Sequence, residues 1–372
     1  MKKVHIIYGR FYDYNGKNLL IGGVETYIIN LSKLLFENGY EVHIYQYADV
    51  DFKKKNDYST VHGIVPNNKK EKEVYKSFKT LIYAAEKNGD VNNDILVFGA
   101  DIGIDKTSFK NVVAIQHGIG WDIQPDSTSS LLKKLKYSLT NFRISLNRKK
   151  KFSICKKIVC VDYNFLNWYR TTIYDDIDKL KVIPNFTKII PYKKHLKKDN
   201  VSIIFARRLQ YYRGTRVFAG AIEKLIKKYP NVKVMIAGEG PDEGWLHSKL
   251  DGYKQVSFDK FSSVDSLKIH EAYDIAVVPS TGSEGTSLSL LEAMSSGCAV
   301  VCSDIGGLTN IILDEYNGLI IRANALELYK ALVKLMDYDY RTSMAKNGHS
   351  TVSASFSYEK WSKSWLDVIN NL

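Results

Sequence analysis

Residues 275–305, IAVVPSTGSEGTSLSLLEAMSSGCAVVCSDI, constrain the fold most tightly. The apolar run 275–279 is too short for a helix and reads as a buried strand. A loop of small residues, 280–285, follows it. A helix is expected from near Thr286 to about Ser296. A second apolar run, 299–302, reads as the next strand. Strands joined through a helix run parallel, and parallel strands are apolar without alternation because both of their faces are covered.

The same pattern recurs along the chain. Residues 4–8, 41–47, 95–98, 112–116, 157–161 and 181–183 read as strands in the first half. Residues 201–205, 232–237, 256–258, 275–278, 299–302 and 319–321 do so in the second. Residues 23–37 read as the first helix, with Ile28, Leu31, Leu34 and Leu35 on one face and Asn38-Gly39 closing it. Residues 216–228 and 326–337 are expected to be helical as well. Residues 51–94 are rich in Lys and Asn, and their periodicity is weak. The expected fold class is therefore α/β: two Rossmann-like domains whose parallel sheets face each other across a cleft. The segment 184–200 has two prolines and five lysines and reads as the linker. Residues 1–186 are assigned to the first domain and residues 187–356 to the second. Residues 357–372 form an amphipathic helix, with Trp361 and Trp365, expected to pack back on the first domain.

Composition narrows the class. At 372 residues with 45% apolar and 25% charged residues, the chain has ample core for two domains. No apolar run is long enough to span a bilayer, and the N-terminus reads as a strand rather than a secretory signal. Cys155, Cys160, Cys298 and Cys302 lack zinc-type spacing and read as reduced core residues of a cytoplasmic protein. Residues 1–200 carry 34 Lys plus Arg against 21 Asp plus Glu, and residues 201–372 carry 19 of each. The whole net charge of +13 thus belongs to the first half. No nucleic-acid-binding motif accompanies it, and an anionic membrane surface is the stronger partner.

Four groups of residues carry chemistry. Gly22-Gly23 opens the first helix, where backbone N–H groups can approach a phosphate or sugar. Arg208 and Arg213 follow the strand that opens the second domain and can neutralise a diphosphate with forked donors; Arg207 and Arg216 are expected to be solvated. His117 sits just after a strand, placed to meet a sugar hydroxyl. Glu284 and Glu292 flank a helix N-terminus and lie roughly 12 Å apart if helical throughout. Carboxylates suit hydroxyls and a helix N-terminus suits phosphate, so together they fit a nucleotide-linked sugar.

The order of these motifs resembles a family 4 glycosyltransferase, a retaining enzyme of the GT-B fold. The resemblance runs from GGVETYIINLSKLLFENGYEV through HGIGWD, VIPN, ARRLQYYRG and MIAGEGP to EGTSLSLLEAMSSGCAVVCSDIGG and YNGLI, with the E-x7-E element strongest. It implies a metal-independent hexosyltransferase that moves sugar from a nucleotide-diphosphate donor, a UDP-sugar by family habit, to a hydroxyl acceptor in bacterial surface polysaccharide or glycolipid assembly. It implies no cofactor beyond that co-substrate. By the resemblance Glu284 would contact hexose hydroxyls and Glu292 the ribose. Arg208 and Arg213 would hold the diphosphate. Gly22, Gly23, Gly285 and the backbone of Ser287 and Leu288 would approach the donor, and His117 would touch the transferred sugar. This chain departs from the family in having Thr286-Ser287 for Phe-Gly, Arg213 for Lys and Phe186 for Gly; the first two bear on the donor, the third on the hinge or acceptor side. Asp176-Ile-Asp178 is a DxD string but is not expected to hold metal.

Residues 131–151, LLKKLKYSLTNFRISLNRKKK, place Leu131, Leu135, Leu139, Phe142 and Leu146 at helical spacing among basic residues, with no acid between. Two readings stay open: a helix covering the first sheet, or a membrane-surface helix that makes the protein peripheral at the inner membrane face and brings the cleft to a lipid-linked acceptor. Rival functions are a sugar-nucleotide epimerase on the same fold and a catalytically silent partner of a transferase.

Overall fold

Two parallel sheets divide the chain. The computed structural model describes residues 2–20, 22–67, 77–119, 130–172, 177–198, 200–261, 265–282 and 284–372. The first sheet is built from β1 (Lys3–Ile7), β2 (Glu41–Tyr47), β3 (Phe52–Lys55), β4 (Thr60–Ile64), β5 (Ile95–Phe98), β6 (Asn111–Gln116), β7 (Lys157–Cys160) and β8 (Leu180–Val182). Their order is β3-β4-β2-β1-β5-β6-β7-β8, and β3, which pairs antiparallel with β4, is the exception to an otherwise parallel sheet. The second sheet is built from β9 (Ser202–Ala206), β10 (Lys233–Ala237), β11 (Val256–Asp259), β12 (Ile275–Val278), β13 (Ala299–Ser303) and β14 (Leu319–Ile321), in the order β11-β10-β9-β12-β13-β14, all parallel. These are two Rossmann-like domains in the GT-B arrangement.

Helices cover both faces of each sheet. In the first half the helices are α1 (Gly23–Glu37), α2 (Lys79–Asn88), α3 (Leu131–Phe152), which is no part of this cover beyond its last residue, and α4 (Tyr163–Thr172). In the second they are α5 (Thr215–Lys228), α6 (Glu243–Leu250), α7 (Ser266–His270), α8 (Leu288–Ser295), α9 (Ala325–Lys334), α10 (Tyr338–Ser355) and α11 (Tyr358–Asn370). One face of the first sheet buries Val4, Ile6 and Val113 against Ile28, Leu31 and Leu35 of α1. The other buries Leu96, Phe98 and Ala114 against Leu81 and Ile82 of α2 and Phe165 of α4. Full cover on both sides is why these strands read as continuous apolar runs. The helix expected over residues 286–296 is shorter by two residues at its start, with Ser287 as N-cap.

The final helix crosses back to the first domain. Trp361 and Trp365 of α11 are buried beside Tyr27 and Leu31 of α1, and the Trp365 indole N–H donates to the Tyr27 hydroxyl at 2.7 Å. Phe186, at the linker, packs its ring 4.8 Å from that of Trp361. The weakly patterned segment 51–94 holds β3, β4 and α2, of which residues 68–76 lie outside the described residues, as do Asp176 of the DxD string and Gly120, Trp121 and Asp122 of the HGIGWD motif.

The structure overturns one of the two readings of residues 131–151. Helix α3 does not cover the sheet: Phe152, its last residue, is buried, while Leu131, Leu132, Leu135, Leu139, Phe142 and Leu146 are all exposed.

Candidate functional site

The second sheet reverses its strand order between β9 and β12, which leaves a crevice at their C-terminal ends. Arg207 follows β9, and Glu284 lies in the loop after β12. Their side chains meet there. Arg207 Nη2 donates to Glu284 Oε1 at 2.6 Å, and Arg207 Nη1 donates to the Ser280 hydroxyl at 2.6 Å. Arg213 Nη1 lies 2.5 Å from the same Oε1, and the Ser280 hydroxyl also donates to it. Three donors thus converge on one oxygen of Glu284.

The electrostatics follow from burial. Glu284 and Arg207 are 4% and 8% exposed. Burial alone would raise the Glu284 carboxyl, but the Arg207 and Arg213 guanidiniums reverse this and hold it below the usual carboxylate range. Burial and the neighbouring Arg213 charge lower Arg207, whereas Glu284 overcomes the desolvation of the more open Arg213 and raises it. Arg207 Nε is buried without a hydrogen-bond partner among the described residues. The cluster carries two positive charges against one negative, so a net positive charge remains for an incoming anion.

Arg207 corrects the expectation from sequence. The sequence reads it as a solvated neighbour of Arg208 and Arg213; in the structure Arg207 is the buried partner of Glu284, while Arg208 is exposed. Successive side chains at a strand end point to opposite sides, and Arg207 takes the inward one. The signal available was chemical: a buried carboxylate needs a buried cation. Ser280 was missed as well. Arg216 is exposed, as expected, but rests 3.5 Å over the Trp245 ring and bonds Asp242 at 3.2 Å.

Glu292 lies on α8 and accepts from the Ser266 hydroxyl of α7 at 2.5 Å; burial raises its pKa. Ser287 is buried and Leu288 half-buried at the start of the same helix.

The first domain brings His117 to this loop. Its ring Nε2 is 2.8 Å from the Gly99 carbonyl, which makes Nε2 the protonated nitrogen, and burial lowers the imidazole to about 4, so it is neutral at pH 7. Gly99 follows β5 beside β1, where the first sheet reverses its own order. The loops of the two domains touch through glycines. A Cβ on Gly285 would stand 2.9 Å from the His117 carbonyl and 2.8 Å from Val161 Cγ2; one on Gly118, whose φ is +115°, would stand 3.0 Å from the Gly285 nitrogen. Thr286 tethers the domains. Its hydroxyl donates to the Val161 carbonyl, and its own carbonyl accepts from Asn185 Nδ2 at 2.7 Å. Gly22 is the N-cap of α1, and the space around Gly23 is open, with no atom within 4 Å of a Cβ built there. Among the described residues no group of three or more His, Cys, Asp or Glu is placed to hold a metal ion.

Comparison with known proteins places this geometry. Residues 200–338 match the family model for glycosyl transferases group 1. The chain is 27% identical over 223 residues to an uncharacterized glycosyltransferase of Methanocaldococcus jannaschii, a match that covers 57% of each protein. The chain spans about half the length of the curated relatives it matches. Over its whole length it superposes on a sucrose-phosphate synthase from Thermosynechococcus elongatus, with TM-score 0.79, 16% identity and 99% of that chain covered. It also superposes on the Anabaena protein HepE in complex with UDP-glucose, with TM-score 0.74, 16% identity and all of both chains covered. At that identity the two superpositions establish a shared fold.

Proposed function

We propose that this protein is a retaining glycosyltransferase that moves a hexose-type sugar from a nucleotide-diphosphate donor to a hydroxyl acceptor without a metal ion. The observation that carries the reading is the buried Arg207–Glu284–Arg213 cluster at the β9/β12 crevice, in contact with the His117 loop. The match of the second domain to a glycosyltransferase family model supports it, as does the full-length likeness to a protein that binds UDP-glucose.

Transfer breaks the bond between the anomeric carbon and the pyrophosphate oxygen, which leaves with the electron pair. The acceptor oxygen bonds to that carbon, and its proton passes to the departing phosphate. Charge builds on the leaving diphosphate, so fixed positive groups there lower the barrier. Arg213 and Arg208 supply it, helped by the first-turn amides of α8 at Ser287 and Leu288 and by the amide end of α1 at Gly23. The diphosphate competes with Glu284 for Arg213. That exchange frees the carboxylate for sugar hydroxyls, while Arg207 keeps it ionised. Neutral His117, its Nε2–H held by the Gly99 carbonyl, offers Nδ1 as an acceptor for a hydroxyl of the transferred sugar without adding charge. Glu292 takes the nucleotide ribose. The acceptor class we favour is a surface polysaccharide or glycolipid intermediate.

A thermal-shift titration with UDP, GDP and their sugars tests donor binding. The expected result is a raised Tm with one nucleotide family. In assays with that donor, Glu284→Ala should lower kcat about 10²–10³-fold. Unchanged Tm with every nucleotide diphosphate, near-wild-type transfer by the variant, or an epimerised sugar nucleotide formed without acceptor would each overturn the reading.

A further inference from the structure

Helix α3 is the feature that the donor site leaves unused. It has 22 residues, about 33 Å at 1.5 Å per residue. Its C-terminal end is anchored: Phe152 packs against Phe165 at 5.5 Å and Tyr169 at 6.4 Å. Its N-terminal end is capped by Ser130, whose side chain accepts from the Lys133 amide. Between these ends the large apolar side chains are exposed: Leu131 is 84% exposed, Leu132 80%, Leu135 60%, Leu139 57%, Phe142 58% and Leu146 45%. At 100° per residue these six fall within an arc of about 100°, a continuous apolar stripe. Lys136, Arg143 and Lys150, seven residues apart, line one border of that stripe, and Lys133 and Lys134 lie off it in the first turn. No acidic residue occurs between Leu131 and Phe152.

We infer that α3 docks the protein on an anionic phospholipid surface, with its leucines at the acyl boundary and the basic border at the headgroup phosphates. The layout is that of an interfacial helix: an apolar face, long cationic side chains at its edge, and low net hydrophobicity. No helix of the described residues is long and apolar enough to cross a membrane. The spacing of Leu132, Leu135, Leu139, Phe142 and Leu146 would also suit a paired helix. A second copy of α3, however, would set Lys136, Arg143 and Lys150 against like charges with no acid to answer them, which disfavours pairing. An anionic surface answers them directly. The chain from His117 leads through this connection into α3, so docking places the domain that carries His117 on the surface where a lipid-linked acceptor resides. The docking argument itself does not depend on the transferase reading.

Vesicle flotation of the full chain tests it, using phosphatidylcholine vesicles with and without about a third phosphatidylglycerol. Wild type should float with the anionic vesicles alone. Lys136→Glu, Arg143→Glu and Lys150→Glu combined should weaken partitioning at least about a hundredfold, at roughly a factor of five for each basic residue lost before the repulsion of the added carboxylates. Leu135→Ser, Leu139→Ser and Phe142→Ser combined should abolish it. Both variants should keep the wild-type Tm rise with the nucleotide that stabilises the parent, so a failure here leaves the donor site untouched. Flotation of the charge-reversed protein at wild-type level would overturn the proposal. So would a wild type that stays off anionic vesicles, whether it is dimeric by light scattering through α3 (a second copy covers the stripe) or monomeric (a protein partner does).

Discussion

The two halves of the molecule share an architecture and differ in how they treat charge. In the second half Lys plus Arg equal Asp plus Glu, and its decisive charges are buried and paired, with Arg207 and Arg213 on Glu284. The first half holds the entire excess of +13, and α3 presents its basic and apolar residues together to the outside. The family match falls on residues 200–338, in the paired half. On the reading we propose, a donor diphosphate imposes the same electrostatic demand wherever it is bound and would fix residue types at the β9/β12 crevice. An acceptor imposes no such common demand, and the half we assign to it is free to carry a surface of its own.

The largest test of this contrast after loss of Glu284 sets adjacent arginines against each other. Arg207→Ala removes the buried partner of Glu284 and leaves the carboxylate to the more open Arg213 and to Ser280, which should cost about 3 kcal/mol in chemical denaturation, the low end for a broken buried pair. Arg208→Ala, at an exposed position, should stay within about 0.5 kcal/mol of wild type while weakening nucleotide diphosphate binding in calorimetry. Equal losses of stability from the two variants would mean that the second half is not organised around the Arg207–Glu284 pair.

A smaller effect is expected where the halves touch. Gly285→Ala puts a methyl group 2.8 Å from Val161 Cγ2 and 2.9 Å from the His117 carbonyl. Something must shift, at about 1–3 kcal/mol, and the cheapest response is to part the two loops. The expected result is a kcat lowered about tenfold to a hundredfold, because small misplacements of reacting groups are costly, with the Kd for nucleotide unchanged. A weakened Kd with intact kcat would place the strain inside the donor half instead.

The same contrast governed what could be read from sequence. The unit β12–α8–β13 was legible because both strands are apolar throughout and Gly297 closes the helix between them at φ +82°. The contacting motifs are legible separately, His117-Gly118 as strand-end residues and Glu284-Gly285 as the end of the loop before α8. Arg207 was not, for a physical reason. β9 is buried on both faces, so its sequence has no alternation from which to tell which of two consecutive arginines turns inward. Strand β3 hid for the opposite reason: FKKK reads as a solvated loop. Yet Lys54 lies 4.4 Å over the Tyr12 ring and donates to the Gly16 carbonyl, so a lysine takes an inward position on an edge strand. For α3 the sequence leaves two readings open, since an amphipathic pattern specifies a face to be covered but not what covers it, and the structure excludes the sheet.

Acid separates the halves by the smallest margin. In the first, His5, His43 and His62 stack across β1, β2 and β4, with centroids 5.5 Å and 5.2 Å apart. Burial lowers all three, His5 and His62 to about 4, although Asp94 opposes it at His5 and Glu41 at His43. His117 is lowered to about 4 too. In the second half His270 stands at about 4. A histidine whose folded pKa lies below its unfolded value of 6.5 leaves the unfolded chain binding more protons between the two values. Its stabilising effect is complete above 6.5 and is lost as pH falls toward 4. Glu284, with its folded value depressed, keeps its contribution down to about 4.5 and loses it only below. Between pH 7 and 5.5 each histidine shifted to about 4 therefore withdraws about 1 kcal/mol. The half with three such residues should soften before the half with one. Amide hydrogen exchange at pH 7 and 5.5 should show protection falling more on β1, β2 and β4 than on β9, β12 and β13. His62→Gln should remove about 1 kcal/mol of that dependence. Equal loss of protection in both sheets would mean that the stacked histidines do not set the acid response of the first domain.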